Sequence, residues 1–277
     1  MSLFSDLMFV SECLLDNERV QAFQKAIQKV VTPNSVVVDA GTGTGILALL
    51  AAQAGAKKVY AVELIPELAE IAKKNIKINN FDHIIEVVND DITVFKTPEP
   101  VDIVTMEMMD TGLIQEYQGP AILSLKKNGV ISNDTILLPD KVSCNAQLVE
   151  YDFNFYGFQM PSIVQARNQG VRNRILKAIS EIKTYKKVDL LHLTSEGIEE
   201  ILEFDIQTEG LINAIELTTT IVLSNLEVPH TSDMNMPIIV PVKPLKAVRG
   251  QKILMKIHYL MGQGFLDPLF LVEVESR

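Results

Sequence analysis

The chain is poor in the residue types that build covalent cross-links and metal sites. It holds only two cysteines, Cys13 and Cys144, and four histidines in 277 residues, and it has no tryptophan. Two cysteines are too few for a disulfide framework or a cysteine-based zinc site. The histidines are scattered without the spacing of metal ligands, so we expect no metal site.

Long apolar runs are also absent. No run approaches the roughly 20 residues that a membrane-spanning helix needs, and the first six residues, MSLFSD, lack the basic start of a signal peptide. We therefore expect a cytoplasmic protein without a membrane partner. Its length suits one large domain or two medium ones, each with its own core.

Positive charge is scarce relative to negative charge. The chain has 35 acidic residues against 25 lysines and arginines, which gives a formal net charge of −10. Broad binding to nucleic acid relies on neutralising phosphates, so this balance makes a nucleic-acid partner less expected. Long-range attraction favours a basic partner or substrate, although many acidic proteins are acidic only for solubility.

The most informative pattern lies in residues 36–52, where an apolar run, a glycine-rich turn and a second apolar run follow one another. This order predicts the strand, turn and helix of a doubly wound α/β domain. A pyrophosphate-binding turn has the spacing G-x-G-x-x-G, but Gly41, Gly43 and Gly45 bring the third glycine one residue early. Asp39, which closes the strand, would repel a pyrophosphate. It suits S-adenosylmethionine (AdoMet), which has an ammonium, a sulfonium and no phosphate. The alternative is a generic strand-to-helix turn.

A second predicted strand, residues 59–62, ends at Glu63, with Leu64 beside it. An acidic side chain at this point can accept hydrogen bonds from both ribose hydroxyls of a nucleoside. The following helix begins at Pro66, whose missing N–H costs nothing in a first turn. We therefore assign this strand end to cofactor binding.

A third predicted strand, residues 84–88, leads to Asp90 and Asp91. We choose Asp91 for the adenine amino group because its neighbour Ile92 can cover the ring, although adjacent acids in a loop are as often solvated. Residues 101–106 form a fourth strand. Strands that alternate with helices imply a parallel sheet, and ligands bind at the carboxyl ends of such strands.

The period of the apolar residues changes after Gly129, the expected stop of a helix over residues 116–128. Beyond it apolar and polar residues alternate, as in half-buried strands. Such strands are predicted at residues 142–148, 202–206, 253–259 and 270–274. We therefore expect an antiparallel, barrel-like domain over residues 132–277. It follows an N-terminal helical segment and an α/β domain over residues 1–131, with the boundary near residues 131–139.

A basic stretch at residues 164–187 interrupts the strand pattern and reads as partly helical. Its cations are Arg167, Arg172, Arg174, Lys177, Lys183, Lys186 and Lys187. The simplest interpretation is a solvated helix face. The alternative is an insertion that contacts a partner or substrate.

Two glutamates follow the fourth strand. Glu107 and Glu116 lie nine residues apart with Gly112 between them, in a loop that should stand at the mouth of the cofactor cleft. A guanidinium suits two such carboxylates, because its planar fork of N–H groups pairs with them bidentately. The alternative for Glu116 is that it only favours the start of the next helix through the helix dipole.

The order of these motifs resembles the protein arginine methyltransferase family over most of the chain. That family combines a Rossmann-like, doubly wound AdoMet-binding domain, a loop with two glutamates and an antiparallel β-barrel. The glycine turn, Glu63, Glu107 and Glu116 match its motifs, and residues 156–160, YGFQM, resemble the start of its barrel. Most class I methyltransferases share the glycine motif, whereas its combination with the glutamate loop and a barrel is much more specific.

The resemblance implies an AdoMet-dependent N-methyltransferase that acts on a guanidinium or other nitrogen of a basic protein and yields S-adenosylhomocysteine. Arg19 takes the position that binds the cofactor carboxylate in the family. An arm of the family's barrel contacts the partner's cofactor domain, so we expect a homodimer with residues 164–187 as the arm. The predicted site comprises the catalytic residues Glu107 and Glu116 and the cofactor-binding residues Arg19, Asp39, Gly41, Gly43, Gly45, Glu63, Leu64, Asp91 and Ile92.

The chain departs from the family pattern around these residues. Met106 and Met108 flank the first glutamate, where the family has a serine and an aromatic residue. The family's Thr-His-Trp loop is absent from residues 232–237. Asp16 matches the acid that pairs with that loop's histidine, and His230 is the nearest histidine. The chain also begins too close to Arg19 to hold the family's tyrosine-bearing helix over the cofactor.

These departures keep other functions open. One alternative is a methyltransferase for RNA or a small molecule, although the fourth strand lacks the Asn/Asp-Pro-Pro motif of adenine-N6 enzymes, and Cys144 falls on a barrel strand rather than in the cleft. The other alternative is a non-catalytic AdoMet-binding partner subunit. The glutamate pair argues against it, because a scaffold has no use for two acids at a cleft mouth.

Overall fold

The computed structural model describes residues 3–165, 176–231, 234–265 and 269–274. The chain begins with two helices, α1 at Leu3–Leu15 and α2 at Asn17–Val30. Asp16, between them, accepts a hydrogen bond from the Arg19 N–H at 3.0 Å. This bond caps α2, because a short acidic side chain satisfies a free N–H group at a helix start.

A parallel sheet of five strands, ordered β3-β2-β1-β4-β5, forms the first half of the molecule. Its strands are β1 (Val36–Ala40), β2 (Lys58–Glu63), β3 (Ile85–Asn89), β4 (Ile103–Met106) and β5 (Ile136–Leu138). The helices between them are α3 (Ile46–Gln53), α4 (Pro66–Ile78) and α5 (Gln118–Lys127). The strand order reverses between β1 and β4, where a doubly wound sheet opens a ligand crevice. The predicted α/β architecture is confirmed.

The fifth strand lies within the expected boundary region at residues 131–139. Ile136–Leu138 pairs with β4 in the parallel sheet, so the sheet extends through most of that region. A strand of three apolar residues has no visible period, which is why the alternation pattern did not reveal it.

Antiparallel strands form the second half, seven in one sheet and three in another. The larger sheet holds β6 (Lys141–Tyr151), β9 (Val164–Gln165), β10 (Leu176–Ala178), β11 (Lys183–Asp189), β13 (Gly210–Leu223), β14 (Leu226–Val228) and β15 (Ile238–Ala247). The smaller sheet holds β12 (Gly197–Asp205), β16 (Lys252–Leu260) and β17 (Leu269–Val274). Because β11 contacts β12 and β15 contacts β17, the two sheets form the barrel-like unit expected from the sequence.

The partly helical reading of residues 164–187 is wrong for the part that the structure describes. Strands β10 and β11 both pair with β6 in the larger sheet. Tyr185 and Val188 of β11 are buried, while Lys186 pairs with Glu200 at 2.7 Å. The pairing with β6 shifts register between Thr184 and Lys186, so the two buried residues stand three positions apart and the period of two is lost. Arg167, Arg172 and Arg174 lie outside the described residues.

A small hairpin precedes this stretch. Its strands are β7 (Asn154–Phe155) and β8 (Phe158–Gln159), and the turn between them carries Tyr156 at a φ of 55°. Tyr156 is 96% exposed and Phe158 is 70% exposed. Among the described residues, no helix is long and apolar enough to cross a membrane.

Candidate active site

A cavity of about 470 Å³ opens at the carboxyl ends of the parallel strands. All but one of the predicted site residues line it: Arg19, Asp39, Gly41, Gly43, Glu63, Leu64, Asp91, Ile92, Glu107 and Glu116. The exception is Gly45, where an added Cβ would lie 3.6 Å from the Ala72 Cβ of α4. That distance is an ordinary contact, so Gly45 is required by its φ of 87° at the start of α3 rather than by close packing.

The glycine turn is organised by Asp39, which ends the buried run of β1. The Asp39 carboxylate accepts hydrogen bonds from Thr42 Oγ1 at 2.5 Å, Thr105 Oγ1 at 2.8 Å and the Ala48 N–H at 3.1 Å. Burial raises the pKa of Asp39, and these three bonds oppose that rise. Thr42 and Thr105 were missed from the sequence. A hydroxyl inside the apolar strand β4, directly opposite Asp39, was the available signal.

Glu63 joins the second strand to the glycine turn. Its Oε2 accepts the Gly43 N–H at 2.9 Å and its Oε1 accepts the Ile65 N–H at 3.0 Å. Each carboxylate oxygen has a further lone pair, so both can also accept a ribose hydroxyl. Leu64 beside it is 63% exposed and lines the same cavity, which suits contact with an apolar ring face.

The third strand ends in a turn whose shape is set by Asp90 and Asp91. Asp91 Oδ1 accepts hydrogen bonds from the Thr93 N–H and hydroxyl, each at 2.8 Å. Asp90 Oδ1 accepts the Asp91 N–H at 2.8 Å. Both acids line the cavity together with the buried Ile92. The choice of Asp91 over Asp90 therefore stays a prediction.

Arg19 connects the cofactor side of the cavity to the first glutamate. Its Nε and Nη2 both donate to Glu107 Oε2, the former at 2.7 Å. Its Nη1 donates to the Cys13 carbonyl at 2.9 Å. Burial raises the pKa of Glu107, and the charge of Arg19 opposes that rise. Burial alone would lower the pKa of Arg19, but the charge and hydrogen bond of Glu107, together with the charges of Cys13 and Asp16, raise that pKa above its ordinary value.

The loop of residues 107–116, which we call the glutamate loop, is held at both ends by buried polar side chains. Gln118 accepts the Met108 N–H at 3.0 Å and donates to the Met106 carbonyl at 3.1 Å. Asp110 Oδ1 accepts the N–H groups of Gln115 and Glu116, at 3.0 and 3.2 Å. Neither Gln118 nor Asp110 was predicted as a site residue, because their roles depend on contacts within the loop.

The barrel holds the middle of the glutamate loop. Thr219 Oγ1 accepts the Gly112 N–H at 2.8 Å, and the Tyr259 hydroxyl donates to the Gly112 carbonyl at 2.6 Å. Gly112 has a φ of 79°, and an added Cβ would lie 2.9 Å from the Tyr185 hydroxyl. Both peptide groups of this glycine are thus bound by barrel side chains, so the barrel helps to shape the site.

Helix α1 is the helical segment expected at the N-terminus. Its residues Phe9, Val10, Cys13 and Leu14 line the cavity. The helix has no tyrosine, and its contribution to the cavity wall was not predicted from the sequence.

Asp16 has a side-chain partner in the barrel half of the chain. The Thr231 hydroxyl donates to Asp16 Oδ2. Asn235, in the position range of the missing loop, is buried and its Nδ2 lies 3.8 Å from the Met109 sulfur. Ser232 and Asp233 lie outside the described residues.

The charge of the cavity suits a cationic ligand. Among its described lining residues, Arg19 is cationic and six others carry carboxyl groups: Asp39, Glu63, Asp90, Asp91, Glu107 and Glu116. A sulfonium and an ammonium fit this excess of negative charge, and Arg19 can take a carboxylate. Among all the described residues, the cavity lining included, no group of three or more His, Cys, Asp or Glu side chains could hold a metal ion.

Comparison with known proteins identifies related sequences. A family model described as the TRM5/TYW2 methyltransferase domain matches residues 6–152. An uncharacterized protein of Methanocaldococcus jannaschii is 32% identical, over 92% of this chain and 93% of that protein. Protein arginine N-methyltransferase PRMT10 of Arabidopsis thaliana is 33% identical, over 74% of this chain and 52% of the relative. The chain thus spans about half the length of that named relative.

Solved structures show the same fold. A Trypanosoma brucei PRMT1 enzyme-prozyme heterotetrameric complex with S-adenosylhomocysteine matches with a TM-score of 0.72 at 17% identity, over 94% of this chain and 95% of that chain. Arabidopsis thaliana protein arginine methyltransferase 10 matches with a TM-score of 0.71 over the same shares. The parallel sheet followed by an antiparallel barrel is therefore a shared architecture.

Proposed function

The chain belongs to the family of the TRM5/TYW2 methyltransferase domain and is an AdoMet-dependent methyltransferase that resembles the protein arginine N-methyltransferases. From that premise we propose that it methylates a guanidinium nitrogen of a basic protein. One observation carries the proposal: Glu107 and Glu116 line the same cavity, next to the glycine turn and Glu63. Two carboxylates beside a methyl donor suit a cationic planar acceptor.

We further propose how the chain holds AdoMet. Arg19 binds the amino-acid carboxylate, Glu63 the ribose hydroxyls, and Asp91 with Ile92 the adenine. Asp39 shapes the glycine turn, because its carboxylate oxygens accept hydrogen bonds from Thr42, Thr105 and Ala48. The excess of carboxylates in the cavity supports the binding of a cationic donor.

Bound AdoMet supplies a methyl group on a positively charged sulfur. The two glutamates then localise the positive charge of the guanidinium on the nitrogens that they contact, which leaves a lone pair on the third nitrogen. All the Arg19 contacts to Glu107 are to Oε2, and Oε1 is the oxygen that we assign to the acceptor. The site contributes alignment and fixed charge, and either glutamate can accept the departing proton.

The remaining proposals concern the partner, the assembly and the compartment. The net charge of −10 supports a basic substrate. The exposed apolar hairpin at residues 154–159 supports a homodimer. Two free cysteines, Cys13 and Cys144, suit a reducing compartment such as the cytoplasm.

Isosteric substitution of the glutamates tests the proposed function. Glu107→Gln and Glu116→Gln each remove one charge and keep the shape, so methyl transfer to an arginine-rich basic peptide should fall by at least about a hundredfold. AdoMet affinity, measured by calorimetry, should change little. Glu67→Gln on α4, an exposed glutamate outside the cavity, is the control. Full activity of both loop variants would show that the pair is structural.

Radiolabelled methyl transfer from AdoMet into cell extract tests the acceptor class. Protease-sensitive label that is recovered as methylarginine after hydrolysis supports the proposal. Label that is lost with nuclease instead would overturn it in favour of an RNA substrate. No labelled product in any fraction, together with AdoMet binding, would favour a non-catalytic partner subunit.

A further inference from the structure

Gln118 binds the chain on both sides of Glu107 with its side-chain amide. Its Oε1 accepts the Met108 N–H at 3.0 Å, and its Nε2 donates to the Met106 carbonyl at 3.1 Å. The residue is 1% exposed. We propose that Gln118 is a positioning residue that holds Glu107 at its working distance from Glu116, an inference that rests on the proposed function.

The location of Gln118 explains why one side chain can set this distance. Strand β4 ends at Met106, so the sheet no longer holds the chain at Glu107. Gln118 is the first residue of α5 and lies two residues after Glu116. Its amide therefore joins the chain next to the second glutamate to both peptide groups around the first one.

The chemistry of the amide also fits this role. A glutamine side chain supplies an acceptor oxygen and a donor NH2 group without a charge. It therefore satisfies the peptide groups on both sides of Glu107 and places no charge next to the Glu107 carboxylate. The Asp110 carboxylate holds the other end of the loop through the N–H groups of Gln115 and Glu116. Loss of the Gln118 contacts leaves that second attachment in place, so the loop shifts at Glu107 rather than unfolding.

The test uses Gln118→Glu over a range of pH, with Gln118→Leu in parallel. An ionised carboxylate accepts from Met108 but cannot donate to Met106, whereas a protonated carboxyl group can do both. At pH 8 both variants should lose about tenfold to a hundredfold in kcat, the scale of a small misplacement of catalytic groups. As the pH falls towards 6, the deficit of Gln118→Glu relative to the native protein should shrink. That of Gln118→Leu should stay constant.

AdoMet affinity is measured for each variant and should stay within about twofold of the native value. Gln53→Glu is the matched control, because it places the same charge on an exposed glutamine outside the cavity, and it should keep native activity at every pH. The acceptor is an arginine-rich basic peptide with radiolabelled AdoMet. If Gln118→Leu does not fold, the pH series of Gln118→Glu decides alone.

The outcomes separate this inference from the proposed function. Native activity of Gln118→Leu, or a deficit of Gln118→Glu that does not depend on pH, overturns the positioning role when Glu107→Gln is inactive. Full activity of Glu107→Gln overturns the proposed function itself. A deficit of Gln118→Glu that shrinks as the pH falls supports the positioning role, because a purely steric defect would not respond to protonation.

Discussion

At the scale of single residues, the site depends on carboxylates that the fold keeps away from water. Asp110 is the clearest case. Its Oδ1 holds the N–H groups of Gln115 and Glu116, while its buried Oδ2 has no hydrogen-bond partner among the described residues. Burial raises the pKa of Asp110 to about 6, and the backbone hydrogen bonds oppose that rise. The backbone position of Glu116 therefore depends on the titratable Asp110 carboxyl group.

Replacement of Asp110 by asparagine should change how stability depends on pH. The folded-state pKa lies above the unfolded value, so the stability that Asp110 contributes is full below about pH 4 and is lost as the pH rises through about 6. Asp110→Asn cannot ionise and keeps an oxygen acceptor. The stability of the variant relative to the native protein should therefore increase by about 2 kcal/mol between pH 4 and pH 7.

Urea unfolding over that pH range measures the difference in the free energy of unfolding. The exposed Asp134 provides the control, because Asp134→Asn should show a far smaller change with pH. A constant difference between Asp110→Asn and the native protein would contradict the raised pKa of Asp110.

At the scale of secondary-structure elements, local and strongly patterned segments were predictable from the sequence. The turn between β1 and α3 has positive φ angles at Gly41, Gly43 and Gly45, which is why glycine stands at each. Helix α4 begins at Pro66, as predicted. Local chemistry alone determines these features.

Elements whose pattern depends on distant partners were misread. Strand β13 is fourteen residues long, but its run of three threonines at residues 218–220 interrupts the alternation of apolar and polar residues. Lys183, Lys186 and Lys187 made β11 look like a helix face. The contacts of Gln118 and Asp110 were equally hidden, because a hydrogen bond within a loop leaves no periodic signal in the sequence.

Helix α1 provides a prediction at this scale. Phe9, Val10, Cys13 and Leu14 form one wall of the cavity, so bound AdoMet should pack against α1 and suppress its local opening. Saturating AdoMet should therefore slow hydrogen exchange of the α1 amides. Unchanged exchange under saturation would contradict the placement of this helix over the cofactor.

Gly43→Val is the control for that experiment. Gly43 has a φ of 54°, and an added Cβ would lie 3.3 Å from Val10 Cγ1. A branched side chain there strains the turn and fills the space between the turn and α1. The variant should neither bind AdoMet nor show protection of α1 when AdoMet is added.

At the scale of the whole molecule, the two halves share one apolar core that extends from Phe23 of α2 to Met261 after β16. Polar contacts join them as well: Thr111 donates to the Met236 carbonyl at 2.7 Å, and Lys29 donates to the Ser224 carbonyl at 2.7 Å. A shared core and shared loop contacts therefore join the barrel to the cofactor half. The glutamate loop lies between them and is hydrogen-bonded to both.

The hairpin at residues 154–159 carries the last prediction. Tyr156 and Phe158 are exposed large hydrophobic side chains, and apolar surface of this kind marks a site of association. We expect a two-fold symmetric dimer in which this hairpin contacts the second copy. Light scattering at tens of micromolar, about the range in which a moderate interface is occupied, should report twice the mass of the chain.

Phe158→Asp should yield a monomer, because it places a charge in an apolar contact. Ile78→Asp, at an exposed apolar residue on the end of α4, should leave the dimer intact. A native protein that scatters as a monomer would remove the hairpin as an interface.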